Sequence, residues 1–284
     1  MPGTGRGGAR IPYSVWRMAY HGVARFRWLS LFILILLLGV IAWGWFSGRG
    51  DDTLADIQRR GILRVGLDAS FPPFEMIDET GRLMGFDVDI ARAIAADLGV
   101  EAEFVNIGFD GLYDALLARR VDIIISGLPY DPRWTQDVAY TYPYFNAGQV
   151  LVIRADEEAI DDISDLAGRT VAVEWGSQAD MEGRRLADEI EGLTIVRQAS
   201  AAEALQVLFN GQVEAAIVDA VSGMSAAPGG LNIVTYLTDE WYAAAVHIES
   251  QALLEAVNES LASLDQGGDL AEIQARWLGG VQAR

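Results

Sequence analysis

The chain has 284 residues, 51% of them hydrophobic, a mean hydropathy of +0.19 and a formal net charge of −19. That length supports one or two domains with cores of their own. The absence of cysteine excludes disulfides, thiol catalysis and a lipidated N-terminal cysteine, and two distant histidines, His21 and His247, make no metal site.

Charge is divided unevenly. Residues 1–50 hold six arginines and no acid, so the −19 of the whole chain becomes −25 once those six are set aside. A domain that acidic should avoid nucleic acid and anionic lipid headgroups. Residues 29–46, LSLFILILLLGVIAWGWF, carry no charge and at about 1.5 Å per residue nearly match the hydrocarbon thickness of a bilayer. Arginines precede the segment, and Asp51, Asp52 and Asp56 follow it. The positive-inside rule therefore places the N-terminus in the cytoplasm. A cleaved signal peptide would have a shorter apolar core and small residues at its exit. This exit reads AWGWF, bulky and aromatic, which favours an uncleaved anchor. The expected organisation is a cytoplasmic basic tail (1–28), one transmembrane anchor (29–46) and a linker (47–61).

Beyond the linker, strands and helices alternate. Residues 62–67 read as a buried strand, and 87–99 as a helix with Asp87 as a possible cap and Gly99 as a stop. Residues 102–107 form the next strand and 110–120 the next helix. Residues 121–126 are an apolar strand with both faces covered. This βαβαβ order implies a parallel sheet flanked by helices. A second block repeats it, with strands at 169–175, 193–198 and 214–219 and helices at 178–190 and 201–211. Residues 148–156 are extended and suited to crossing between two lobes. A strand at 242–248 and two helices close the chain, with Ser250 a cap candidate. In such sheets ligands sit beyond the carboxyl ends of strands, and those ends here are rich in acids and aromatic rings.

Several segments, in this order and spacing, resemble the extracytoplasmic solute-binding proteins of polar amino-acid ABC importers: LRVGLDASFPPFEMIDETGRLMGFDVDIARAIAADLG, FDGLYDALLARRVDIIISGL, YPYFNAGQVLVI and VEAAIVD. The resemblance runs from about residue 62 to 278. It implies an α/β, two-lobed type II periplasmic-binding-protein fold with two crossing hinge strands, here preceded by one N-terminal transmembrane helix. On that reading 62–147 and 243–284 form lobe I, and 148–242 form lobe II with the hinge strands. The resemblance also implies roles. Phe71 and Phe109 would stack on the ligand, Asp68 would meet its polar side chain, and Asp219 would hold its ammonium. Ser126 and Gly127 would offer backbone groups. The turn Gly176, Ser177, Gln178 would offer backbone N–H groups to a carboxylate.

The loop SGLPYDPRW (126–134) departs from the family pattern S-G-[ML]-T-x-T-x-E-R. Aligned on Pro143, Pro129 takes the place of the ammonium-binding threonine and Asp131 that of the second threonine. Trp134 stands where the carboxylate-holding arginine belongs, with Arg133 one residue early. A guanidinium forks onto a carboxylate in a way a neutral side chain cannot reproduce. Either the loop slips and Arg133 takes that role, or the clamp is gone. Among the cleft candidates Asp68, Asp131, Glu174 and Asp219 face a single arginine, and Trp175 adds an aromatic face. Acids among aromatic rings suit a cation, so the sharper expectation is an amine-bearing ligand without an α-carboxylate.

Each residue has a plainer reading. Phe71 could be core, Asp219 a helix cap, Glu174 a solvated acid, Trp175 packing beneath a hinge, and Asp87 and Asp89 helix-start charges. Three function classes remain. The first is a monomeric, cofactor-free binding protein, anchored in the membrane with its lobes outside the cell or in the periplasm. It delivers a small polar amino acid or amine to an ABC importer's membrane subunits. The second is a sensor acting through a partner chain. The third is a dehydratase on the same fold. The third is disfavoured because the turn that reads G-T-N-E in such enzymes reads GSQA here, with Ala179 in place of the acid.

Overall fold

Apolar runs of five or six residues bounded by turn residues, alternating with amphipathic helices, build two separate sheets. The computed structural model describes residues 51–279; the anchor expected at 29–46 and the tail before it lie outside the described residues. Among the described residues no helix is long and apolar enough to cross a membrane.

Helix α1 (Thr53–Arg60) leads into β1 (Ile62–Leu67). A three-stranded ribbon follows: β2 (Ser70–Phe71), β3 (Glu75–Ile77) and β4 (Leu83–Met84), paired in that order. Next come α2 (Phe86–Asp97), β5 (Glu101–Asn106), α3 (Leu112–Leu117), β6 (Ile123–Ile124) and β7 (Val138–Tyr140). After β8 (Phe145–Asn146) the chain makes β9 (Gln149–Arg154), β10 (Thr170–Glu174), α4 (Gln178–Glu189) and β11 (Thr194–Gln198). Then come α5 (Ala201–Phe209), β12 (Ala215–Asp219), α6 (Ala220–Ala226) and β13 (Leu231–Tyr236). The last elements are β14 (Trp241–Tyr242), β15 (Ala245–His247), α7 (Gln251–Gly267) and α8 (Asp269–Leu278).

The first sheet has the order β5-β1-β6-β15-β7, the second β11-β10-β12-β9-β13. In each, four strands run in one direction and a single strand, β15 in the first sheet and β9 in the second, runs against them. The expected βαβαβ halves account for the parallel strands. Strand β15 returns late to the first sheet, between β6 and β7, so two distant stretches of chain build that lobe.

The chain passes from the first sheet to the second through β8 and returns through β14. These two strands pair antiparallel, Trp241 opposite Asn146 and Tyr242 opposite Phe145. The crossing therefore does not use 148–156 as the sequence suggested. Residues 149–154 form β9 inside the second sheet, paired on both sides, and Val150, Leu151 and Val152 are fully buried. A strand apolar at four successive positions, 150–153, gains most with both faces covered. The passages meet at Gly148, where an added Cβ would lie 1.9 Å from the Thr238 carbonyl oxygen; only glycine allows that approach.

One aromatic cluster ties the ribbon, α2 and the crossing strands together. The Phe74 ring packs edge-on against Phe86 (5.7 Å), Phe145 (5.2 Å) and Tyr242 (5.4 Å). Phe74 and Phe86 are buried to 1% and 0% exposure, and full burial of such a ring is worth about 2–3 kcal/mol. The expected cap Asp87 does not cap α2. Gly85 holds the N-cap position, and the Asp87 side chain is wholly buried.

Candidate ligand-binding cleft

Strands β1, β5 and β6 end side by side, and the residues just beyond those ends enclose a cavity of about 310 Å³. Its lining is Asp68, Ser70, Phe71, Phe109, Gly127, Pro129 and Tyr242. Asp68 follows β1, Phe109 opens the turn after β5, and Gly127 and Pro129 follow β6. A larger cavity of about 600 Å³ lies apart, between α5 and α6, lined mainly by apolar groups such as Leu205, Phe209 and Val221. The smaller one carries the functional argument, because it sits at the strand ends and holds a carboxylate among aromatic rings.

Phe71 is stacked on Phe74, centroids 5.2 Å apart and planes 10° off parallel. Phe74 covers one face of the ring and leaves the other open, at 42% residue exposure. Phe109 is equally open, at 43%. Asp68 fixes this wall. Its Oδ1 accepts from Ser70 Oγ (2.7 Å) and its Oδ2 from the Phe109 amide (2.8 Å). Gly127 has a φ of +47°, and a Cβ there would lie 2.7 Å from Phe71 Cε1, so both the turn and the ring require glycine.

Beneath this wall lies a buried polar cluster. Ser126 Oγ accepts from the Asp68 amide at 2.9 Å and donates to Glu75 Oε1 at 2.6 Å. Asp87 Oδ2 accepts from the Gly127 amide and, at 3.1 Å, from Tyr144 OH. Glu75 Oε2 and Asp87 Oδ1 have no other hydrogen-bond partner. Burial, then the Asp87 charge beside it, pushes the Glu75 carboxyl up to about 10, while burial raises Asp87 to about 6. Near neutral pH the pair therefore holds one proton, on Glu75.

The loop 128–134 is bonded to the second crossing strand. Tyr130 N donates to Trp241 O at 3.0 Å and Ala243 N to Leu128 O at 3.0 Å. Pro129 is thereby held on the cavity, and the rest of the loop turns away. Asp131 caps a short 3-10 turn, Pro132–Trp134, and grips Arg133 by Nε (3.0 Å) and Nη2 (2.6 Å). The Arg133 side chain is 85% exposed. Trp134 lies flat on Tyr113, centroids 4.3 Å apart and 8° from parallel, and Tyr113 OH bonds Tyr140 OH at 2.6 Å. Of the predicted loop residues, Asp131, Arg133 and Trp134 thus do not line the cavity, while Gly127 and Pro129 do; Ser126 lies just beneath.

The second-sheet candidates sit at the ends of β10 and β12. Glu174 accepts from the Ala201 amide at 3.2 Å, and Trp175 is 75% exposed. Ser177 caps α4, accepting from the Asp180 amide at 3.3 Å. The Gly176 amide donates to Asp180 Oδ2 at 3.2 Å. Buried Asp180 also binds Arg197 Nε (2.8 Å) and Arg184 Nη2 (3.3 Å). Burial works to raise its carboxyl, but the Arg197 bond and the Gly176 amide outweigh that and hold it below the ordinary value. Gln178 begins α4. Asp219 caps α6, accepting from the Ser222 amide (2.9 Å) and Ser222 Oγ (2.7 Å). The Tyr242 hydroxyl is held well above its usual range by burial first, then by the charges of Glu240, Asp87, Asp219 and Glu75.

Sequence reasoning missed Ser70, Tyr242 and the pair Glu75–Asp87. Ser70 lies between Asp68 and Phe71 and was findable by proximity; Tyr242 opens an apolar run and carries no sequence signal of a site.

A family model for bacterial extracellular solute-binding proteins, family 3, matches residues 63–280. A Haemophilus influenzae protein named a probable amino-acid ABC transporter-binding protein is 30% identical over 88% of this chain and 96% of its own. An ancestral cationic amino acid solute-binding protein of solved structure is 30% identical, with a TM-score of 0.61, covering 80% of this chain and 99% of that one. An ancestral cyclohexadienyl dehydratase is 27% identical, with a TM-score of 0.69, covering 79% and 95%.

Proposed function

The chain belongs to the bacterial extracellular solute-binding proteins of family 3, and from that premise we propose that it captures a small polar amino acid or amine-bearing solute and delivers it to the membrane subunits of an ABC importer. The observation that carries this reading is the cavity beyond β1, β5 and β6, whose lining brings Asp68 together with the exposed rings of Phe71 and Phe109. Exposed aromatic rings beside a carboxylate suit a small polar molecule carrying a positive group. The acids and the turn at the ends of β10 and β12 would complete the site from the second lobe as the lobes close about β8 and β14.

Residues 29–46 would anchor the protein beside the importer, raising its local concentration there. The reading is that of a binding protein rather than an enzyme. A similar structure is a dehydratase, but the turn 176–179 ends here in Ala179, which offers no carboxyl for general acid work. A thermal-shift series with the common amino acids and small amines tests capture. A ligand at 100 times its Kd stabilises the fold by about 2.7 kcal/mol, and no shift with any of them at millimolar concentration refutes the reading.

A further inference from the structure

We propose that the cleft selects organic cations that carry no carboxylate, the amine counterparts of cationic amino acids; this rests on the reading of the cleft as a solute site and names its ligand class. One carboxylate, Asp68, lines the cavity, two more, Glu174 and Asp219, end strands of the second sheet, and among the described residues none of the three has a cationic partner. Asp68 accepts only from a hydroxyl and an amide. Asp219 accepts only from the amide and hydroxyl of Ser222. Glu174 accepts only from the Ala201 amide. Their charge is left for something that enters.

The arginines nearby are already paired. Arg133 is held by Asp131 through Nε and Nη2, and Arg184 and Arg197 both bind Asp180. Trp134 lies flat against Tyr113 and brings no charge. A carboxylate entering the cleft therefore meets acids and no unspent guanidinium. A cation meets acids and the open faces of Phe71 and Phe109, which attract positive charge. Residues 51–284 carry the whole acidic excess of the chain, so the long-range field also draws cations in.

Two ligand pairs that differ only by a carboxylate decide the matter: agmatine against L-arginine, and 1,4-diaminobutane against L-ornithine. Titration calorimetry on the full chain near neutral pH should show at least one amine binding about tenfold or more tighter than its amino acid, equivalent to about 1.4 kcal/mol. Asp68→Asn keeps an oxygen for the Phe109 amide but loses the charge. It should weaken the amine at least about tenfold while the melting temperature of the free protein stays in place. Equal or tighter binding of the amino acids overturns the inference and leaves solute capture standing. Unchanged amine affinity in Asp68→Asn also overturns it. If all four compounds fail to bind, the inference falls, and solute capture falls with it only if the wider amino-acid series is silent too.

Discussion

Replacing Glu75 with glutamine is expected to stabilise the protein near neutral pH, although it alters a fully buried residue beneath the cleft. Glu75 ordinarily titrates near 4.5, and in the fold burial and the neighbouring Asp87 charge raise it to about 10. Below the unfolded value both states hold the proton and folding costs nothing extra. Above it the folded chain must take up a proton that the unfolded chain has released. Stability is therefore lost as pH rises from the unfolded value toward the folded one, at up to about 1.4 kcal/mol per unit. At about pH 7 the accumulated cost is about 3 kcal/mol. Glutamine resembles the protonated acid: its oxygen can accept from Ser126 Oγ and its amide can donate to Asp87 Oδ1, which otherwise has no partner but the shared proton. It takes up no proton on folding. The expected gain is about 2–3 kcal/mol at about pH 7, or about 5–10 °C in melting temperature for a domain of this size. It should shrink toward zero near pH 4.5 and grow toward pH 9. Melting curves of both proteins across that range provide the assay. A difference that does not vary with pH, or a glutamine variant less stable at neutral pH, refutes the reasoning.

Asp87→Asn removes the charge that helps to raise the Glu75 carboxyl, while its oxygen can still accept from the Gly127 amide or Tyr144 OH. The loss of stability with rising pH should therefore be shallower than in the unaltered protein; melting curves across about pH 5–9 read it. Gly127→Ala sets a Cβ against the Phe71 ring at a positive φ. It should cost about 1–3 kcal/mol and, by tilting that ring, weaken ligand binding at least about tenfold, as calorimetry would show. Trp134→Ala strips the ring stacked on Tyr113 and should destabilise by about 2 kcal/mol. Because that ring does not line the cavity, its ligand affinity should change less than about twofold; a larger loss would return Trp134 to the site.

The regular elements were legible because their signal is local. The apolar run 62–67 and the helix beginning near residue 87 follow from spacing alone, and β1 and α2 appear within a residue or so of those limits. The parallel halves of both sheets follow from strands alternating with helices. Asp68, Phe71, Phe109, Gly127 and Pro129 were legible as well: residues just past the strands of one parallel sheet must emerge on the same edge, and the structure gathers them around one cavity.

What the sequence hid is which partner each side chain takes. The turn DPRW has the same spelling whether its arginine reaches into a cleft or folds back; the deciding contact is Asp131, two residues away, whose carboxylate both caps the turn and binds the guanidinium. Asp87 looked like a helix-start charge because Gly127 and Tyr144, its partners, lie 40 and 57 residues on. Burial reversed the meaning of both acids. The half-buried Asp131 spends its charge on the nearest arginine, whereas the fully buried Glu75 keeps a proton so that Asp87 can hold the Gly127 turn. That turn sets the approach of Phe71, so the proton on Glu75 supports the shape of the wall a ligand would meet. The acids that remain uncompensated, Asp68 foremost, are those whose only partners are neutral donors, and it is this remainder, rather than the total acidity of the chain, that would give the cleft the proposed preference for positive charge.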